Sequence, residues 1–262
     1  MKMGLSASAS ALLLALASST FLSTSASAAC VGTCGNHAGV TDGVVTAAPF
    51  ADGSYQYVAT TGNGPQGAAS LNLGSETSGS IFTTPVSLVA GDKLAFYFNF
   101  VTTDGAGFAD YAFVQLQGGT DTTLFTARTT PSGNTVPGFG MPAIAPGVVV
   151  DPATVLINAG GPAWSVLESS GGCWSTGCGY TDWVKMEYTV PVGGDYLLAF
   201  AVTNWADNAF QTGLAFAGLT INDIPVDPGQ TPIPGAAALM GTVLAGGAGF
   251  GAWRRRRQKT AA

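Results

Sequence analysis

The chain has 262 residues, with 37 glycines and charged side chains at only 9%. The usual charged share is about 25%, and such a composition suits short strands and tight turns rather than helical domains. Its formal charge of −6 hides an asymmetry: Lys2 lies near the start, Arg254 to Arg257 and Lys259 lie near the end, and the region between keeps only Lys93, Arg128 and Lys185 against all fifteen acids. That region repels phosphate backbones, which excludes nucleic acid as a partner, and it attracts divalent cations instead.

Residues 1–28 read as a secretory signal peptide, with basic Lys2, a short apolar run around Leu12–Leu22, and Ala26-Ser27-Ala28 ahead of a cleavage point before Ala29. The apolar run is too short to span a bilayer. A lipoprotein signal carries Leu three residues before its cysteine, whereas Ser27 stands there relative to Cys30, which argues against lipidation. Export through the Sec pathway is the expectation. It places the four cysteines in an oxidising compartment, where two disulfides are favoured over a zinc site with His37 as its single histidine. Neighbour pairing, Cys30 with Cys34 and Cys173 with Cys178, is the favoured one of three connectivities because short loops close readily.

Residues 29–221 then read as one extracellular domain of short strands. Strand signals fall at Tyr55–Ala59, Leu71–Leu73, Ile81–Leu88, Lys93–Thr102, Asp110–Gln117 and Asp121–Ala127. After a Gly/Pro-rich loop from Thr130 to Gly147, further signals fall at Trp183–Val190, Gly194–Trp205 and Thr212–Asp223. In "LAFYFNF" the residues Leu94, Phe96, Phe98 and Phe100 alternate with Ala95, Tyr97 and Asn99, so the first set faces a core and Tyr97 and Asn99 face out. Regularly spaced strands with turn signals between them predict an all-β fold, a jelly-roll-like antiparallel β-sandwich flanked by the signal peptide and a C-terminal transmembrane helix.

Three kinds of site are conceivable along this domain. Catalysis is not expected: His37 is the only histidine, no Gly-x-Ser-x-Gly elbow occurs, and the only glutamates are Glu76, Glu168 and Glu187. No cofactor is implied beyond a structural Ca²⁺, for which Asp104 and Asp110 in one hairpin and Asp207 and Asn208 at a strand end offer hard oxygen ligands. Turn chemistry accounts for the same residues without a metal. Trp174, Trp183 and Trp205, with Tyr180, gather in the C-terminal half, and Trp183 at a strand start, Trp205 at a strand end and Tyr180 are candidates for stacking on sugar rings. Buried Trp is also ordinary sandwich core.

The stretches "AGDKLAFYFNFVTTDGAGFADYAFVQL" and "GCGYTDWVKMEYTVPVGGDYLLAFAVTNWADNAFQTGLAFAGLTI" resemble the extracellular domain of a group of bacterial PEP-CTERM proteins, with Gly179, Tyr180, Thr181, Trp183, Asn204, Trp205, Asp207 and Gly213 carrying the likeness. The resemblance implies a surface or secreted β-rich module and no reaction. The tail agrees with it. After a linker at 222–232, residues 233–257 hold an uncharged stretch long enough to cross a membrane as a helix, then Arg254, Arg255, Arg256 and Arg257, which stay cytoplasmic by the positive-inside rule. With Pro232, Ile233 and Pro234 ahead of it, this segment resembles the PEP-CTERM sorting signal of Gram-negative bacteria, in a Pro-Ile-Pro variant where Ile233 replaces the acidic residue. The resemblance implies an exosortase-type enzyme of the inner membrane as partner and removal of the helix. The expectation is an exported protein with a structural or adhesive role at the cell surface or in the exopolysaccharide matrix; the alternative is a lectin-like module that binds extracellular polysaccharide.

Overall fold

The computed structural model describes residues 27–226 apart from positions 63, 66 and 68. The signal peptide, save its last two residues, and the sorting segment with Pro232, Ile233, Pro234 and Arg254 to Arg257 lie outside the described residues. Within them, no helix is long and apolar enough to cross a membrane.

The chain runs β1 (Ala29–Val31), β2 (Thr33–His37), β3 (Tyr55–Ala59), β4 (Glu76–Leu88), β5 (Lys93–Thr102), a short 3-10 turn at Ala106–Phe108, β6 (Tyr111–Gln117) and β7 (Thr122–Arg128). It continues with β8 (Val148–Asp151), β9 (Asn158–Ala159), β10 (Gly179–Tyr180), β11 (Val184–Thr189), β12 (Gly194–Trp205), β13 (Thr212–Ile221) and β14 (Ile224–Pro225). These form two antiparallel sheets. One has the order β1-β4-β12-β6-β7, and the other has β2-β3-β13-β5, with β10 and β11 sharing the far edge of β5. If the eight long strands β3, β4, β5, β6, β7, β11, β12 and β13 are counted in chain order, one sheet runs first, eighth, third, sixth and the other second, seventh, fourth, fifth. That winding is consistent with a jelly roll, in which two Greek keys close over one core.

The core forms because the inward row of each strand is apolar. Phe96, Phe98 and Phe100 meet Ala112, Val114 and Leu116 of β6, Leu198, Phe200 and Val202 of β12, and Leu214 and Phe216 of β13. Ring contacts cross the gap between sheets: Phe98 lies 3.9 Å from Phe125, and Phe200 stacks on Phe216 at 3.9 Å. β12 is buried on both faces, because Ala201 packs outward against Tyr111, Phe113 and Ala69.

Three features depart from the strand pattern of the sequence. Leu71–Leu73 is not a strand: its N–H groups are taken by side chains, Leu71 N donating to Tyr111 Oη at 3.0 Å and Leu73 N to Glu76 Oε1 at 2.6 Å. The linker expected from Asn222 begins inside the fold, since β14 pairs with β13 and Val226 N bonds Leu219 O at 2.8 Å. Asn99 points out of the sandwich as its alternation requires, yet it is fully buried.

The burial of Asn99 follows from a second layer. Segments around Val45 and Trp164 fold over the outer face of the larger sheet and bury Val45, Ala48, Trp164 and Leu167 against Tyr55, Ala59, Val101, Ala215 and Ala217. The Trp164 ring lies directly on Gly213, where any Cβ would overlap it, and Trp164 Nε1 donates to Tyr55 Oη at 3.3 Å. The outward row Gly213, Ala215 and Ala217 is small because the indole needs the room. Gly213→Ala is therefore expected to destabilise the protein by about 1–3 kcal/mol through overpacking, read as a lower urea midpoint at unchanged slope.

Candidate functional site

Five of the inward rows that build the core turn polar at the same end of the sandwich. Phe100 is followed by Thr102 and Asp104, Ala112 is preceded by Asp110, Val202 is followed by Asn204, Leu214 is preceded by Thr212, and Val58 is followed by Thr60, all of them buried. The result is a closed polar layer between the sheets, and its hydrogen bonds decide what each residue can do.

Asp110 lies at its centre with no exposed surface. Its Oδ1 accepts from Trp205 N at 2.8 Å, and its Oδ2 lies 2.7 Å from Thr212 Oγ1. Burial raises its carboxyl well above the usual range; the Thr212 bond opposes this, and the charges of Asp104 and Asp207 add to it. Thr212 Oγ1 also lies 2.8 Å from Thr102 Oγ1, which accepts from Asp104 N at 3.2 Å. Asp104 is 2% exposed. Gly105 N donates to its Oδ1 at 2.7 Å, while its Oδ2 has no partner among the described residues. Burial pushes Asp104 up to about 7, against the Gly105 hydrogen bond and with help from the charge of Asp207. Asp207 and Asn208 stand on the loop above, where Asn208 Oδ1 accepts from Ser78 Oγ at 2.9 Å. The four residues picked out for calcium thus belong to one region, but Asp110 and Asn208 are already engaged as acceptors. Among the described residues, no three His, Cys, Asp or Glu side chains converge as a metal-ligand set.

The candidate aromatics separate. Trp183 donates Nε1 to Thr46 O at 3.0 Å and packs edge-on to Tyr55, and both Trp183 and Tyr180 border the buried layer around Trp164. Trp205 is half-buried between Tyr111 and Arg128, whose guanidinium lies 4.5 Å from its ring centre. The exposed indole is Trp174, at 54%. It stands on the Cys173–Cys178 loop, with Phe108 at 6.3 Å and Phe210 at 5.4 Å between ring centres. The loop is fastened to the polar end by Trp174 N to Thr103 O at 2.9 Å and by Ala106 N to Thr176 O at 3.0 Å. Phe210 is held at φ 55, which a bulky residue rarely adopts and which costs about 1–3 kcal/mol. Next to this loop lies a cavity of about 360 Å³ lined by Thr130, Pro131, Ser132, Ser175, Thr176 and other residues. Both disulfides, Cys30–Cys34 and Cys173–Cys178, pair neighbours as the spacing favoured.

His37 stacks on Tyr55, with Nε2 3.6 Å from Asp42 Oδ2, and Asp42 also accepts from Ser165 N and Oγ. Aspartate stands between histidine and serine, so the imidazole is not placed to take the serine proton, as a nucleophilic triad requires.

No family model matches the chain, and no curated protein matches its sequence. Three solved chains are similar in structure. One of these, from a structure titled "CBM4 structure and function", covers 63% of this chain and 92% of its own at 10% identity, with a TM-score of 0.27.

Glu76 offers a pH test of this end of the fold. Partial burial by itself would raise its carboxyl, but the N–H groups of Leu73 and Gly74 and the Tyr111 hydroxyl bring it down to about 2. A folded pKa below the unfolded one gives stability that is present above pH 4.5 and lost as pH falls towards about 2. Glu76→Gln is expected to be less stable than the parent at pH 7, with the gap closing between about pH 5 and 2 in thermal melts.

Proposed function

We propose that the chain is an exported protein of the cell surface or exopolysaccharide matrix whose jelly-roll sandwich adheres, without catalysis, to extracellular polysaccharide. Trp174 carries this reading: a large indole more than half exposed, backed by Phe108 and Phe210, on a loop closed by a disulfide. Aromatic faces stack on the apolar C–H faces of pyranose rings, and a platform fixed in advance loses little entropy on binding. The adjoining cavity, with Thr130, Ser132, Ser175 and Thr176, supplies hydroxyl partners for a neighbouring sugar unit.

Charge narrows the ligand further. Among the described residues the Lys and Arg side chains are all engaged: Lys93 and Lys185 pair with Glu187 at 3.0 and 2.5 Å, and Arg128 donates Nε to Ala109 O while lying over Trp205. An anionic polysaccharide would meet a surface of carboxylates without free cations, which favours a neutral glycan. The test is retention of the protein on a panel of neutral and anionic polysaccharides. Trp174→Ala is expected to weaken binding to a neutral glycan about tenfold or more, as the loss of an aromatic anchor does, with the melting temperature unchanged. Binding to anionic glycans only, or to none, would sink the reading.

For handling after export we propose insertion of the tail in the inner membrane through residues 233–257 and cleavage by an exosortase-type enzyme, on the strength of Pro232, Ile233 and Pro234 ahead of the uncharged stretch and Arg254 to Arg257 behind it. Intact mass of protein recovered from cells decides between fates. A chain ending near Thr231–Pro234 is the expected result, and a mass that retains Arg254 to Arg257 would instead mean a lasting anchor.

A further inference from the structure

The polar layer contains two acceptors without a donor among the described residues, Asp104 Oδ2 and Asn204 Oδ1, on side chains 2% and 0% exposed. Both are oxygens, and the donor end of Asn204 is used: Nδ2 donates to Ser78 Oγ at 3.1 Å, and Ser78 donates onward to Asn208 Oδ1. The layer therefore lacks a donor or a cation, not another acceptor. Buried polar atoms are almost always paired; Gln56, Asn99 and Thr135 also hold unpaired atoms, but in this layer both unpaired atoms are oxygens and point to a missing partner.

The loop Ala206–Phe210 closes over the same layer. Thr77 Oγ1 holds Asp207 O, Gln211 Nε2 holds Asn208 O at 3.0 Å, and Thr103 N and Oγ1 both hold Gln211 O, at 3.1 and 2.8 Å. Thr103 precedes Asp104, so these bonds set the loop over it, near enough for the Asp207 charge to act on Asp104; Ala209 N takes Asp207 Oδ1 at 2.9 Å, which leaves Oδ2 to bind. Arg128 is the described cation nearest this end, and it is committed to Ala109 O and Phe139 O.

We infer that a hard divalent cation of the calcium class binds in this end of the sandwich, held by Asp104 Oδ2, Asn204 Oδ1 and Asp207. Carboxylate and amide oxygens are the donors Ca²⁺ prefers, with main-chain carbonyls and water able to complete six to eight positions. With no imidazole or thiolate in the set, zinc and copper are disfavoured. Asp110 takes no part, because Trp205 N and Thr212 Oγ1 occupy its two oxygens.

The experiment titrates Tb³⁺ into the full-length exported protein after treatment with chelator. Trp174, bonded through its N–H to the residue before Asp104, is the sensitiser. Saturable emission at one ion per chain is expected, displaced by Ca²⁺, with a melting temperature about 5 °C higher when Ca²⁺ is a hundredfold above its dissociation constant. Asp104→Asn is expected to abolish both responses while raising the melting temperature of the chelated protein, since it removes a buried carboxylate; a folding defect would lower it. Asp207→Asn, on the loop, is expected to weaken Ca²⁺ binding about tenfold. A melting temperature indifferent to Ca²⁺ together with no Tb³⁺ emission would overturn the inference, as would an Asp104→Asn protein that keeps both. Polysaccharide retention is measured separately, so either idea can fail without the other.

Discussion

Asp110 accepts from Trp205 N in one sheet and from Thr212 Oγ1 in the other, so a single carboxylate joins both halves of the sandwich where their apolar core runs out. In a low-dielectric interior such a network is rigid when every member is paired and costly when one is not. Apolar contacts alone leave two sheets free to slide by small amounts. The directional bonds of Asp110, Thr212 and Thr102 fix their relative position at this end. The turn at Ala106–Phe108, the Cys173–Cys178 loop and the Ala206–Phe210 loop are all built from chain that leaves this fixed point.

At the opposite extreme, the outer face of the larger sheet has no opening where Trp164 and Val45 cover it. A bare sheet face could bind a ligand along its length. Here part of that face is filled by the chain itself, down to the glycine under the indole. Beside that cover a cavity of about 890 Å³ stays open, lined by Tyr55, Gln56, Ala217 and Gly218, while the aromatic trio stands on loops at the end of the sandwich.

Much of the fold could be read from local pattern. The alternation of Phe96, Phe98 and Phe100 points out which side of β5 meets the core, and the cysteine spacing favours the pairing that is found. Asn99 shows where local pattern stops: its direction follows from period two, but its burial depends on Trp164 and Val45, far away in the chain. Leu71–Leu73 shows the same limit for the backbone, since Tyr111 and Glu76 capture N–H groups that a strand would have used. At the site, Asp104, Asp110, Asp207 and Asn208 were recognisable as one region, yet which oxygens are free depends on Trp205 N, Thr212 and Ser78. Trp174 was visible as one of several tryptophans. Only the cover over Trp183 and the packing of Trp205 against Tyr111 single it out. One further signal lies in the sequence itself: the inward rows Phe100–Thr102–Asp104 and Val202–Asn204 turn polar together.

β13 begins at Thr212 beside the polar layer and ends at Ile221, with β14 and Val226 at the far end of the sandwich. The chain therefore leaves the domain at the end away from Trp174. If the protein is held by its tail while the aromatic end grips a polymer, tension runs along β13, which lies between β3 and β5 in the middle of its sheet. Pulling along a strand flanked on both sides loads its cross-strand bonds together in shear, instead of opening them one at a time like a zip. In mechanical terms β14, paired with β13 at only two positions, is the part that yields first, and β13 behind it is the part that holds.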